Sequence, residues 1–167
     1  MSGAAAEVLP DLLAPGLDVV FCGSAVGAAS ARLGAYYAGP GNKFWPMLHK
    51  IGLTTTRLDP LDLPDLARFG IGLTDMAKTA SGADAALPRG ADDPGGLRAK
   101  IARYRPRALA FNGKRAARVF FARAVAYGRQ DSALGGTAVF VLPSTSGLAV
   151  RFWDEAPWFE LAAFLGR

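Results

Sequence analysis

Apolar residues along this chain gather in short runs separated by stretches with helical spacing. Asp18-Val-Val-Phe-Cys22 has no polar alternation after its first residue, as expected of a strand buried on both faces of a sheet. Gly70-Ile-Gly-Leu-Thr74, Arg107-Ala-Leu-Ala-Phe111 and Thr137-Ala-Val-Phe-Val-Leu142 read as further strands. Helices fill the intervals. One is capped by Asn42 and runs to about Lys50, with Phe44, Met47, Leu48 and Ile51 on one face. Others cover Pro60 to Phe69, Pro94 to about Tyr104, Arg115 to Ala126, and about Ala156 to Leu165. Gly23 to Gly41 reads as a glycine-bearing loop, too polar and irregular for a long helix, and Ala80 to Asp93 as a mobile loop rich in Gly, Ala and Asp. This alternation predicts an α/β fold: a three-layer α/β/α sandwich around a mostly parallel sheet of roughly four or five strands. With no repeat and no linker, residues 1–167 read as a single domain.

In open sheets of this kind, ligands bind where strands deliver their carboxyl ends to a common crevice. Gly23-Ser-Ala-Val-Gly27, Thr74-Asp-Met76, Asn112-Gly-Lys114 and Pro143-Ser-Thr-Ser-Gly147 each follow a strand. They predict one pocket built from convergent loops.

Charge adds a candidate partner. The net charge is +5, and from Arg98 to Arg129 there are ten Lys and Arg but no Asp or Glu. Such a segment either coats a solvated face or tracks a polyanion, since clustered cations release counterions from nucleic acid. The only cysteine, Cys22, excludes an intramolecular disulfide and a cysteine-held zinc or iron–sulfur site, and reads as a small core residue. No apolar run reaches the length of a membrane span, and Met1-Ser-Gly-Ala-Ala-Ala-Glu-Val8 lacks the features of an export signal. The expectation is a cytoplasmic protein with access to DNA.

Taken in order, the loop motifs carry a resemblance. Gly23-Ser-Ala-Val-Gly27 stands where the mismatch-specific uracil/thymine-DNA glycosylases have GINPG, and Tyr37-Ala-Gly-Pro-Gly-Asn-Lys-Phe-Trp45 is similar to their aromatic-PGPGN-FW segment. Gly72-Leu-Thr-Asp-Met76 resembles GFTNM, Tyr104-Arg-Pro-Arg107 with Phe111-Asn-Gly-Lys114 resembles YQPR and FNGK, and Val141-Leu-Pro-Ser-Thr-Ser-Gly147 resembles the family's final loop. The chain is identified on these motifs as a member of the uracil-DNA glycosylase superfamily, over roughly residues 18 to 150.

The resemblance implies a monofunctional glycosylase in base-excision repair, without metal or cofactor. It would act as a nucleoid-associated monomer on DNA containing uracil or, less readily, hypoxanthine or mismatched thymine. Flipping a nucleotide costs a few kcal/mol, repaid by stacking and hydrogen bonds in the pocket. Tyr37 matches the stacking aromatic, though a tyrosine there also suits a core. Backbone amides near Ser24 and Ala25 would hold the base carbonyl that gains charge, with Gly23 permitting close approach. Ser81 falls near a second water-holding hydroxyl, and Ser144, Ser146, Gly147 and Lys114 fall at phosphate contacts. Leu148 matches the wedge that fills the vacated stack. His49 lies on a helix away from every matched motif.

One position departs from the family. Where its Asn positions the attacking water, this chain has Ala25, whose side chain cannot hydrogen-bond. Asn42 and Asp75 are the candidate replacements. Asn42 matches an asparagine on which the related hypoxanthine-DNA glycosylases rely, and it is equally a ready helix cap. Asp75 stands for an Asn and could accept a proton from water or stabilise a sugar cation, or simply cap a turn. Two readings therefore follow: a glycosylase with relocated catalysis, or a uracil-DNA or abasic-site binding protein that has lost turnover. A basic nucleotide-binding module without DNA chemistry is a third, remoter one.

Overall fold

The computed structural model describes residues 6–167, so the first five residues of the N-terminal stretch considered above lie outside it. Its centre is a five-stranded sheet in the order β2-β1-β3-β5-β4, formed by Val19–Gly23 (β1), Ile71–Asp75 (β2), Ala108–Asn112 (β3), Gly128–Arg129 (β4) and Ala138–Leu142 (β5). All neighbours are parallel except the short β4, which runs antiparallel along β5. The expected α/β/α sandwich is what the chain forms. Residues alternate between two cores: Val19 and Phe21 of β1 pack on one side with the helices Phe44–Lys50 (α2) and Ala156–Phe164 (α5). Val20 and Cys22 pack on the other with Pro94–Tyr104 (α3) and Lys114–Phe121 (α4). Burial on both faces is why the strands lack polar alternation.

The structure departs from the sequence expectations in a few places. A six-residue helix, Ala28–Leu33 (α1), interrupts the loop expected from Gly23 to Gly41 and stops where Gly34 turns left-handed at φ 69°. It is too short and too exposed to show a period. The segment Pro60–Phe69 winds as a 3-10 helix rather than an α-helix, kinked at Asp62 ahead of the internal Pro64. The helix expected to reach Ala126 ends at Phe121, because Ala122 adopts a left-handed φ of 54°. This turn lets Gly128–Arg129 cover the edge of β5, a strand too short to read from sequence. Among the described residues, no helix is long and apolar enough to cross a membrane.

β1, β2 and β3 each end one residue later than expected, at Gly23, Asp75 and Asn112, while β5 ends at Leu142 as expected. Parallel register sets Gly23 beside Asp75 and Asn112 beside Leu142. Two polar side chains thus sit at the carboxyl edge of the sheet. Between β1 and β3 the chain reverses its direction of progress across the sheet, the place where such folds bind ligands.

Candidate active site

A groove of about 1220 Å³ opens at this switch point, lined by the four expected loops. Asp75 forms part of its floor and is almost fully buried. Its Oδ2 has no hydrogen-bond partner. A Cβ on Gly23 would come within 2.9 Å of Asp75 Oδ1 and 3.2 Å of the Tyr37 hydroxyl, so only glycine at this strand end leaves both groups their present places. Burial pushes the Asp75 carboxyl up to about 7; the charge of Lys78 pulls it down, Asp11 pushes it up, and Lys100 again pulls it down. Near neutral pH this side chain exchanges a proton.

Tyr37 also lines the groove, with its hydroxyl buried and unsatisfied. Its backbone holds the unusual φ of 54°, a strained conformation for a bulky residue. An aromatic column maintains it: Tyr37 lies on Phe44 at 4.1 Å between centroids, Phe44 meets Phe21 edge-on at 5.2 Å, and Phe21 stacks on Trp158 at 5.6 Å. Trp158 Nε1 then donates to Pro143 O at 3.1 Å, anchoring the last loop as well. The Tyr37 hydroxyl is held neutral by burial, with the Asp75 carboxylate adding to that effect. Asn112 lies beside it, donating one Nδ2 hydrogen to Thr145 Oγ1 at 2.9 Å and accepting from Thr145 N at 3.0 Å, and makes no hydrogen bond to the Tyr37 hydroxyl.

The walls are pinned by backbone. Gly23 O and Ser24 O accept from Met76 N and Ala77 N at 2.8 Å, which fixes the first loop to the end of β2. Ser24 and Ala25 line the groove there, and Ala25 brings no side-chain donor or acceptor. Across the groove, Lys43 N donates to Thr145 O at 2.9 Å, and Gly147 lies so close to Pro40 O that a Cβ would sit 3.0 Å from it. Asn42 lies in this wall. Its Oδ1 accepts from Phe44 N at 3.0 Å, so it serves the start of α2, one residue ahead of the helix cap, while its amide nitrogen is not used.

The remaining expected site residues divide. Ser144, Ser146, Gly147 and Leu148 all border the groove. Both serine oxygens accept backbone N–H groups, from Ser146 and Leu148 at 3.2 Å, leaving each hydroxyl proton available. Leu148 is 86% exposed and heads a 3-10 turn, Gly147–Phe152, that also exposes Val150 and Phe152. Ser81 is exposed, bridges to Val26 and does not line the groove. Lys114 is outside the lining too, its ammonium resting 4.2 Å over the Tyr127 ring. His49 is exposed on α2. The basic run does not form a stripe along the groove: Lys100 pairs with Asp11, Arg107 with Asp18 and Arg115 with Asp92, while Arg98, Arg123 and Arg129 lie over aromatic rings. Only Arg115 of that run borders the groove. Sequence reasoning missed it, while Asn112, expected in one of the pocket loops, had been given no role.

Comparison with known proteins agrees with this fold. A sequence profile of the uracil DNA glycosylase superfamily matches residues 10–164. The chain belongs to that superfamily. The solution NMR structure of a candidate uracil DNA glycosylase from Methanosarcina acetivorans superposes with a TM-score of 0.64 at 26% identity, covering 95% of this chain and 97% of the other. As a uracil DNA glycosylase superfamily member, the protein is assigned in general terms to the DNA glycosylases, with DNA as its partner.

Proposed function

We propose that the protein is a monofunctional DNA glycosylase that takes a deaminated base, uracil foremost, into this groove and hydrolyses its N-glycosidic bond. Tyr37 provides the stacking face, and the amides near Ser24 and Ala25 meet the carbonyl that gains negative charge as the bonding pair leaves with the base. The sugar is left as an oxocarbenium-like cation, which water attacks. Ionised Asp75 stabilises that cation and takes the proton from water, the task Ala25 cannot perform. Asn42, with a free amide nitrogen, holds the base edge or the water. Ser144, Ser146 and Gly147 hold phosphates, and Leu148 fills the gap in the stack. The protein works as a monomer.

One observation supports this reading above the others: a buried carboxyl with an unpartnered oxygen on the floor of the groove. A carboxylate left in this state costs folding energy, which structure alone gives no reason to retain.

Single-turnover cleavage of duplexes carrying uracil, hypoxanthine or thymine opposite guanine tests it. Native protein is expected to cut the uracil duplex at a rate that rises with pH through about 7 and then levels, following the Asp75 carboxylate. Asp75→Ala is expected to lose about 10² to 10⁴-fold, the usual contribution of a positioned general base, and Asn42→Ala less. If native protein cuts no duplex yet binds the uracil duplex tightly, the activity is lost and a binding protein remains.

A further inference from the structure

Residues 8–13 run along the free edge of β2 as a strap, Leu12 bridging Leu73 in antiparallel fashion. Val8 N donates to Lys78 O at 2.8 Å, and Leu12 and Leu73 exchange backbone hydrogen bonds of 2.9 Å. Between strap and sheet lies a cluster of charged side chains that takes no part in the proposed chemistry. Lys78, 9% exposed, donates to Leu9 O at 2.7 Å and to the Tyr36 hydroxyl at 3.0 Å, and pairs with Asp11 Oδ1 at 2.9 Å. Asp11 Oδ1 also accepts from Thr74 Oγ1 at 2.7 Å, and Asp11 Oδ2 pairs with Lys100 at 2.6 Å. Tyr36 in turn donates to Pro10 O at 3.0 Å.

An ammonium carries three donors, and all three of Lys78 are committed to the strap and to Tyr36. None remains for Asp75, only three residues away in sequence and sensitive to the Lys78 charge. We propose that the strap, through Asp11, is a positioning device for the groove: by holding Lys78 it denies Asp75 an ion-pair partner and leaves that carboxyl free for the substrate. Asp11 is a positioning residue, since it touches neither substrate nor reacting atoms. The inference rests on the role given to Asp75 above.

The groups around Asp75 limit what else could set its charge. Cys22 on β1 and Tyr36 and Tyr37 on the loop after α1 are kept neutral by burial. The charged groups acting on it are Lys78 beyond β2, Asp11 on the strap and Lys100 on α3. Removing the anion and removing either cation therefore have opposite consequences. Asp11→Asn keeps an acceptor for Thr74 but releases Lys78 and takes away a negative charge; both changes favour the Asp75 carboxylate. Lys78→Met and Lys100→Met disfavour it.

The test is carboxyl ¹³C NMR titration of aspartate-labelled protein, with the Asp75 signal assigned by its disappearance in Asp75→Asn, beside the pH profile of single-turnover uracil excision. The expected result is an Asp75 midpoint about one unit lower in Asp11→Asn and about one unit higher in Lys78→Met, with the acid limb of excision moving the same way. Midpoints that stay put, or move in the same direction in both variants, overturn the proposal. If Asp11→Asn does not fold, the less buried Lys100→Met decides: a raised midpoint upholds the cluster's role, and an unchanged or lowered one overturns it. Should native protein excise nothing at any pH, the functional reading fails by itself, and the NMR midpoints still decide whether the strap controls Asp75.

Discussion

Asp11 and Asp75 are both carboxyls withdrawn from water, both influenced by Lys78, and they end in opposite states. At Asp11, burial alone would raise the carboxyl, but hydrogen bonds from Lys100, Lys78 and Thr74 outweigh it and hold the group below its ordinary range. At Asp75, burial is opposed only from a distance, one oxygen has no partner, and the carboxyl rises to about 7. Asp75 is buried and Asp11 only partly so, and the donors that reach both Asp11 oxygens are missing at Asp75; the two differences act in the same direction. The strap region uses its charges to hold the chain together, while the end of β2 keeps a charge unpaired where a substrate can meet it.

The contrast is sharpest in stability against pH. A carboxyl raised in the folded state costs nothing below its unfolded value near 3.8, and its penalty grows as pH climbs through the folded value near 7. Asp75→Asn removes that penalty. Relative to native protein, the variant is expected to gain on the order of 4 kcal/mol between pH 4 and pH 8 in urea unfolding, the size of a shift of about three units. A variant that instead loses stability relative to native protein as pH rises would place Asp75 in the same class as Asp11, and a difference that does not change with pH would break the comparison. Asp11 has the opposite sign: its depressed value gives stability that is present above the ordinary carboxylate range and is lost as pH falls below it. Asp11→Ala, which strands Lys78 in a buried site, is expected to cost about 3 kcal/mol at pH 7. A loss no larger than that of an exposed pair such as Lys50–Glu155 would break the comparison.

Much of this was legible in the sequence because of where polarity stops. Strands buried on both faces print as unbroken apolar runs, so the four longer strands and the loops behind them could be found. The loops carry glycines next to polar residues at strand ends, which is why Gly23 and Asp75 could be placed at one pocket, while Tyr37 and Asn42 were reached through the resemblance to the family's motifs. Other features leave no local trace. The two-residue β4 and the six-residue α1 are too short for any period to emerge. Asp11, Lys78 and Lys100 are ordinary charges in three separate segments, brought together only by the strap lying along the edge of β2. The basic run misled for the same reason: an arginine over a phenyl ring and one facing a phosphate look alike until the fold places them.

A third carboxylate probes the middle of the range, with the smallest effect on stability. Asp92 receives both arms of Arg115, at 2.9 and 3.0 Å, and each partner is about a fifth to a quarter exposed. It is fully partnered like Asp11, yet its cation borders the groove as Asp75 does. Asp92→Asn is expected to cost no more than about 1 kcal/mol, since the amide keeps an acceptor for the guanidinium and Arg115, unlike Lys78, can turn to water. It also frees a guanidinium at the groove. If Arg115 then reaches a phosphate, duplex affinity rises at low salt and the slope of log affinity against log salt steepens by about 0.9, the signature of one added phosphate contact. Weaker binding would instead mean that Asp92 holds Arg115 in place for DNA, so that a partnered carboxylate can serve the groove by aiming a cation at it.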